Sequence, residues 1–178
     1  MSQWTPGDRK PDIASMLRVN QAGEYGATRI YAGQLAVLGR GTPASHLVAR
    51  MASQEERHLK RFNELMAERR VRPTLLHPIW DIAGFALGAA TALMSEKAAM
   101  ACTEAVETEI DKHYADQLTE LGDSDPELAG DILDFQAEEL EHRDTAREHG
   151  AADAAGYPLL TAAIRAGCRA AITLSKRI

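Results

Sequence analysis

One ligand-bearing pattern occurs twice in this chain, and nothing else in the sequence narrows its fold as much. Glu24 is followed 31 residues later by Glu55, with His58 three positions beyond it. Glu107 is followed 32 residues later by Glu139, with His142 again three positions beyond. The two sets lie 83–84 residues apart, so each half supplies one lone Glu and one Glu-x-x-His. Helix positions i and i+3 are neighbours, about 5–6 Å apart at Cβ, so each Glu-x-x-His aims both groups the same way. Four carboxylates and two imidazoles form a hard, oxygen-rich set with two nitrogens, suited to a pair of iron or manganese ions. A single Glu-x-x-His in a glutamate-rich chain is a weak signal. Its repetition in register is a strong one. Seven residues after Glu24 the chain reads YAGQLAVLG, and seven after Glu107 it reads YADQLTELG, with six of nine positions identical. Both segments end in a Gly suited to a helix C-terminus.

This ligand arrangement resembles that of ferritin-like di-metal carboxylate bundles, in which two helices each give a Glu and two each give a Glu-x-x-His. The expected fold is therefore all-α: a four-helix bundle built from a duplicated helix pair, with two additional apolar amphipathic helical segments. A length of 178 residues suits one domain, taken here as 1–178. The net charge of −6 argues against a nucleic-acid partner. Cys102 and Cys168 form no C-x-x-C and read as reduced residues. Met1 to Lys10 lacks the pattern of a signal or transit peptide, pointing to a bacterial cytoplasmic protein or one whose leader has been removed.

The helix boundaries follow from caps. Asp12 is placed to cap a first helix ending near Gly39, with Leu17, Glu24, Tyr31, Leu35 and Leu38 facing inward. Thr42-Pro43 opens a second, with Val48, Met51, Glu55, His58, Phe62 and Leu65 inward. Its basic residues Arg57, Lys60, Arg61, Arg69 and Arg70 read as a solvated face, or with Arg72 as a contact for anionic headgroups. Ser95 caps the third main helix, with Met100, Thr103, Glu107, Ile110, Tyr114, Leu118 and Leu121 inward. Asp125-Pro126 opens the fourth, with Leu128, Ile132, Phe135, Glu139, His142 and Ala146 inward. Carboxylates set in apolar rows are informative, because an unpaired buried charge is costly. Glu138, Glu141 and Asp144 are expected to face solvent. His46, His77, His113 and His149 lack the motif and read as ordinary core or surface histidines.

Two segments fall outside the repeat. Residues 75–94 carry Asp81 as their only formal charge, a run too interrupted for a membrane span. They read as a core helix, a membrane-surface helix or the cover of a ligand tunnel. Trp80, Phe85 and Leu87 are the side chains expected to enter lipid or line the tunnel. Residues 158–178 are apolar and amphipathic, with Arg165, Arg169, Lys176 and Arg177 available to anionic headgroups. The membrane surface is thus an expected partner, through 79–94 and 158–178.

Ferritin-like iron oxidation or storage, peroxide reduction and oxygenase chemistry all use such sites, and a non-enzymatic helical membrane-surface assembly protein is the rival outside catalysis. The missing rubredoxin-like cysteine pairs weigh against a peroxide reductase. The extra apolar segments favour an apolar substrate.

Several runs narrow the choice. QAGEYGATRIYAGQLAVLGR (21–40), FNELMAERRVRPTLLHPIWDIAGFALGAATALM (62–94), AMACTEAVETEIDKHY (99–114) and EELEHRDTA (138–146) resemble the demethoxyubiquinone hydroxylases of ubiquinone biosynthesis, as does AGCRAAITLSKRI (166–178). The resemblance covers nearly the whole chain after residue 12. It implies a di-iron monooxygenase that hydroxylates the benzoquinone ring of a polyprenylated precursor with O₂ and two electrons, drawn from NADH or a quinol. The family's ligand motifs fall on Glu24, Glu55, His58, Glu107, Glu139 and His142, with Glu55 and Glu139 bridging the two irons. It also implies a peripheral protein on the cytoplasmic face of a bacterial inner membrane, or the matrix face of the mitochondrial one. A lipid-binding accessory protein and other pathway enzymes are the implied protein partners.

Overall fold

The computed structural model describes residues 11–177. The reading of Met1–Lys10 as free of a leader, and the last residue of the 158–178 surface, lie outside the described residues. Six helices account for most of this range: α1 (Ile13–Leu38), α2 (Pro43–Glu68), α3 (His77–Met94), α4 (Glu96–Leu121), α5 (Pro126–Glu148) and α6 (Tyr157–Ser175). A short 3₁₀ turn, Ala151–Asp153, joins α5 to α6.

The caps sit where the sequence places them. The side chains of Asp12, Thr42, Ser95 and Asp125 each accept a backbone N–H three residues on, opening α1, α2, α4 and α5. Pro43 and Pro126 stand in the first turns of α2 and α5, where a missing N–H costs nothing. Gly39 and Gly122, at matching places in the repeat, end α1 and α4 with φ of 74° and 50°.

The helices form three layers. α1 and α4 lie in the middle; α1 packs on α2 and α4 on α5 to one side, while α3 and α6 cover the other. The two segments outside the duplicated helix pair add one helix to each half: α3 packs along α1, and α6 packs against α4. Leu17, Val48, Met51, Phe62, Leu65, Met100, Leu121, Leu128 and Ile132 are all buried between the middle layer and α2/α5. A separate apolar cluster of Ile30, Cys102, Ala105, Val106 and Ile164, with Leu87 against it, fills the space beneath α3 and α6.

Contact between α1 and α3 is backbone to backbone. A Cβ on Gly33 would stand 2.2 Å from the Phe85 carbonyl oxygen, and one on Gly88 would stand 1.9 Å from that of Ile30. Neither space admits a side chain.

The basic face of α2 is not a free one. Arg57 pairs with Glu138, Arg61 with Glu127 and Asp131, and Arg69 with Asp125 and Glu127, all across to α5. These guanidiniums brace two helices, so the expectation of a purely solvated or headgroup-binding face is corrected for them. Arg165 and Arg169 are likewise engaged, both with Glu109 of α4. Lys176 and Arg177 remain exposed.

The outer face of α3 and α6 is apolar. Leu75, Ile79, Ile82, Leu93, Met94, Leu159 and Leu174 are exposed there. Of the three side chains singled out from the sequence, only Phe85 is exposed, at 37 %. Leu87 turns inward to the cluster under α3, and the Trp80 indole N–H donates to Ser175 Oγ at 3.1 Å, tying α3 to α6. The outward positions are set by which face of α3 carries Gly84 and Gly88, because those glycines must meet α1. No helix among the described residues is long and apolar enough to cross a membrane.

Candidate metal centre

All six residues of the duplicated pattern converge between the inner helix pair and α2/α5. Glu24 comes from the middle of α1, Glu55 and His58 from α2, Glu107 from α4, and Glu139 and His142 from α5. Every one is buried, at 0 % or 1 % exposure. They fall into two overlapping groups: Glu24, Glu55, His58 and Glu139 in one, and Glu55, Glu107, Glu139 and His142 in the other. Within each group the candidate ligand atoms lie within 4.8 Å of one another, and Glu55 and Glu139 belong to both. These groups are able to hold metal ions.

The imidazoles are oriented for it. His58 Nδ1 stands 3.1 Å from Glu139 Oε1 and 3.4 Å from Glu24 Oε2. His142 Nδ1 stands 3.1 Å from Glu55 Oε1 and 3.2 Å from Glu139 Oε2. In both rings Nδ1 faces the carboxylates and Nε2 faces away.

A polar lining holds the lone glutamates. Tyr31 of the first half donates its hydroxyl to Glu107 Oε1 of the second at 2.8 Å, and Tyr114 of the second half donates to Glu24 Oε1 of the first. One carboxylate oxygen of each is thereby occupied, and the other is free. Indeed Glu24 Oε2, both Glu55 oxygens, Glu107 Oε2, Glu139 Oε1 and His58 Nδ1 are buried without a hydrogen-bond partner. Buried polar atoms are nearly always satisfied. Six orphans pointing into one space are what a cation-binding centre requires, so the donor set fits a metal pair.

Electrostatics describe the same strain. Burial, then the charges of Glu139, Glu24 and Glu107, hold Glu55 well above the usual carboxylate range. Burial and Glu139 do the same to Glu107 despite the Tyr31 hydrogen bond. Burial would lower His58, but Glu139 and Glu24 outweigh it and push the imidazole up to about 10. Glu139 is the exception: burial would raise it, yet His142 and His58 hold it down to about 2. Protons thus stand in for positive charge here.

Some residues in the site were not anticipated. Glu138, expected to face solvent, is half-buried, and its Oε2 lies 3.1 Å from His58 Nε2. α5 turns it toward α2, where Arg57 donates to it from both terminal guanidinium nitrogens. Glu141 and Asp144 do face solvent. Gln54 was also missed; its Oε1 lies 3.1 Å from His142 Nε2. The signal was present: Gln54 and Glu138 each immediately precede a Glu-x-x-His, so they share one register in the repeat. None of His46, His77, His113 or His149 joins the cluster.

On the far side of Glu107, toward α3 and α6, Ala27, Ile30, Tyr31, Thr103 and Val106 line a narrow gap with no room for a water molecule. Its walls are mostly apolar, and it separates the carboxylate cluster from the apolar layer beneath α3.

Comparison with known proteins agrees with this picture. The family described as "Ubiquinone biosynthesis protein COQ7" matches residues 11–175. A 3-demethoxyubiquinol 3-hydroxylase of Rhodospirillum rubrum is 54 % identical over 175 residues, 97 % of this chain and 82 % of the relative. The mitochondrial NADPH-dependent 3-demethoxyubiquinone 3-hydroxylases of Mus musculus and Homo sapiens are 54 % and 52 % identical, each over 93 % of this chain and 77 % and 78 % of their own. With the ligand-bearing bundle and this similarity running along the same residues, the chain belongs to the COQ7 family of ubiquinone-biosynthesis proteins.

Proposed function

We propose that this chain, as a single domain over 1–178, is a di-iron monooxygenase that hydroxylates the ring of a polyprenylated demethoxyubiquinone or its quinol. The observation that carries this reading is the pair of overlapping ligand groups that share Glu55 and Glu139. Glu24 and His58 would hold one iron, Glu107 and His142 the other, with Glu55 and Glu139 bridging. Four glutamates balance two ferrous ions, so the reduced centre is close to neutral and suits a low-dielectric interior. When bound, the paired irons supply two electrons to dioxygen and the oxidising power that replaces a ring C–H by C–OH. The balance is one O₂, two electrons and two protons consumed for one ring hydroxyl and one water formed.

The protein's own groups set the stage. Tyr31 and Tyr114 occupy one oxygen each of Glu107 and Glu24, leaving the other oxygen to the metal. The apolar gap beside Glu107 is where the ring would approach; it is narrow, so Ile30 and Val106 must part to admit it. A nicotinamide supplies the electrons, in keeping with the NADPH dependence of the mammalian relatives. The exposed apolar face of α3 and α6 rests on a membrane where the prenylated substrate resides, on the cytoplasmic face of a bacterial inner membrane or its mitochondrial equivalent. There a lipid-binding accessory protein and other pathway enzymes meet it. Moving the prenyl tail into water would cost about 0.8 kcal/mol per CH₂, and docking avoids that.

The test loads the protein with Fe(II) under anaerobic conditions, then adds the quinone precursor, NADPH and isotopically labelled dioxygen. Mass spectrometry should find one labelled oxygen on the ring. Glu55→Ala and Glu139→Ala should each lose iron and turnover, by more than the about 10–100-fold that loss of an outer partner costs. Full loading and turnover in both variants would overturn the site. Iron oxidation without ring hydroxylation would mark a storage-type protein instead.

A second measurement follows the proton balance. Glu55 and Glu107 are held above their ordinary range, so the metal-free fold binds extra protons, and its stability falls as pH rises past that range. His58 acts in the same direction, its contribution complete below 6.5 and lost as pH rises through about 10. Metal-free protein should therefore melt at falling temperature between about pH 6 and 9, while the metal-loaded form changes less. The melting gain on loading should widen with pH. A gain that shrinks or stays flat would contradict the paired-carboxylate centre.

A further inference from the structure

The two imidazoles are held from outside by one connected strap. His58 Nε2 lies 3.1 Å from Glu138 Oε2. Gln54 Nε2 donates to that same Glu138 oxygen at 3.1 Å, and Gln54 Oε1 lies 3.1 Å from His142 Nε2. Arg57 completes the strap, donating to Glu138 Oε1 at 3.0 Å and to Oε2 at 2.6 Å.

The hydrogens of this strap follow from chemistry. A carboxylate only accepts, so Gln54 must present its NH₂ to Glu138 and its oxygen to His142. That oxygen also only accepts, so His142 Nε2 must carry a hydrogen. His58 Nε2 must carry one too, because it faces Glu138 directly. In both rings the nitrogen left to bind a cation is Nδ1, the one that faces the buried carboxylates. Each hydrogen assignment traces back to Glu138, directly for His58 and through the Gln54 amide for His142. The two halves repeat the position but not the residue: Gln54 and Glu138 stand in the same register, one neutral and one anionic. Were both amides, nothing would fix which way Gln54 points.

We propose that Glu138 is the positioning residue for both metal sites, setting the tautomer of His58 by contact and that of His142 by orienting Gln54. This rests on the di-metal reading of the preceding section. Its consequence is an asymmetry that no list of ligands would give. Removing Glu138 disturbs both sites, whereas removing Gln54 disturbs only the one that contains His142.

Zinc-loaded protein, which is diamagnetic, allows a direct test by ¹⁵N-histidine spectroscopy with metal titration alongside. The parent should take up two zinc ions and show metal on Nδ1 and a protected Nε2–H for both His58 and His142. Glu138→Ala should lose both protected Nε2–H signals and weaken both sites by about 10–100-fold. Gln54→Ala should lose only the His142 signal and weaken only one site. Glu141→Ala, an exposed acid two residues from Glu139, should match the parent. Circular dichroism checks folding; should Glu138→Ala not fold, Glu138→Gln takes its place, with both sites weakened several-fold. A Glu138 variant that disturbs neither histidine, or His58 alone, overturns the proposal. A parent that takes up no metal would instead overturn the di-metal reading beneath it, so the two failures are distinct.

Discussion

The α2/α5 layer and the α3/α6 layer flank the same inner pair, and their contrast shows how two faces of one helical bundle can be held by different physics. On the α2/α5 side, Arg57, Arg61 and Arg69 cross to acidic partners on α5, and Leu133 is the only large exposed hydrophobe of that layer among the described residues. On the α3/α6 side large apolar groups stand in solvent, with Leu75 and Leu159 about four-fifths exposed at 80 % and 79 %. The first layer sends its buried face into the candidate metal centre, so its helices hold four of the candidate ligands in place. Ion pairs and the Glu138 strap brace them. The second layer contributes no candidate ligand among the described residues and meets the inner pair through the apolar cluster of Ile30, Cys102, Ala105, Val106 and Ile164. A charge-braced face and a bare apolar face on opposite sides of one site fit the proposed function, in which cations are held from one side and an apolar ring is received from the other.

The contrast can be tested by disturbing each layer in turn. The largest effect is expected where α3 meets α1. Gly88→Ala places a methyl 1.9 Å from the Ile30 carbonyl, so α3 must shift, and destabilisation of about 1–3 kcal/mol or more should follow. Gly130→Ala on α5, with nothing within 4 Å, should instead stabilise by about 0.5–1 kcal/mol. Thermal melts of the two variants would break the comparison if they moved the same way. The next effect concerns the bare face. Ile79→Glu with Ile82→Glu, on side chains 54 % and 70 % exposed, should reduce partitioning onto anionic vesicles by about tenfold or more. Iron content should stay at the parent value, since neither residue approaches the centre. Unchanged vesicle binding would assign that face to a protein partner or a second copy. The smallest effect is expected on the braced side. Arg61→Ala removes partly exposed pairs to Glu127 and Asp131, worth about 0.2–1 kcal/mol each, and should leave vesicle binding unaltered.

Much of this protein is legible along its chain, because its decisive features are local or repeated. Capping residues act within three positions of themselves, which is why Asp12, Thr42, Ser95 and Asp125 mark helix starts without reference to the fold. The i, i+3 spacing of Glu55 with His58 and of Glu139 with His142 already aims each pair to one side of a helix. The repeat implies that the two sets meet. What sequence spacing does not contain is the rotation of one helix against its neighbour. Two glutamates side by side, Glu138 and Glu139, differ by about 100° around α5, and only the placement of α2 makes one a candidate ligand and the other its support. The same holds for α3, whose composition marks it as predominantly apolar, with Asp81 its only formal charge. Gly84 and Gly88 pressed against α1 decide that Leu87 turns inward while Ile79 and Ile82 face out. Periodicity names the faces of a helix; close packing against a particular neighbour chooses among them.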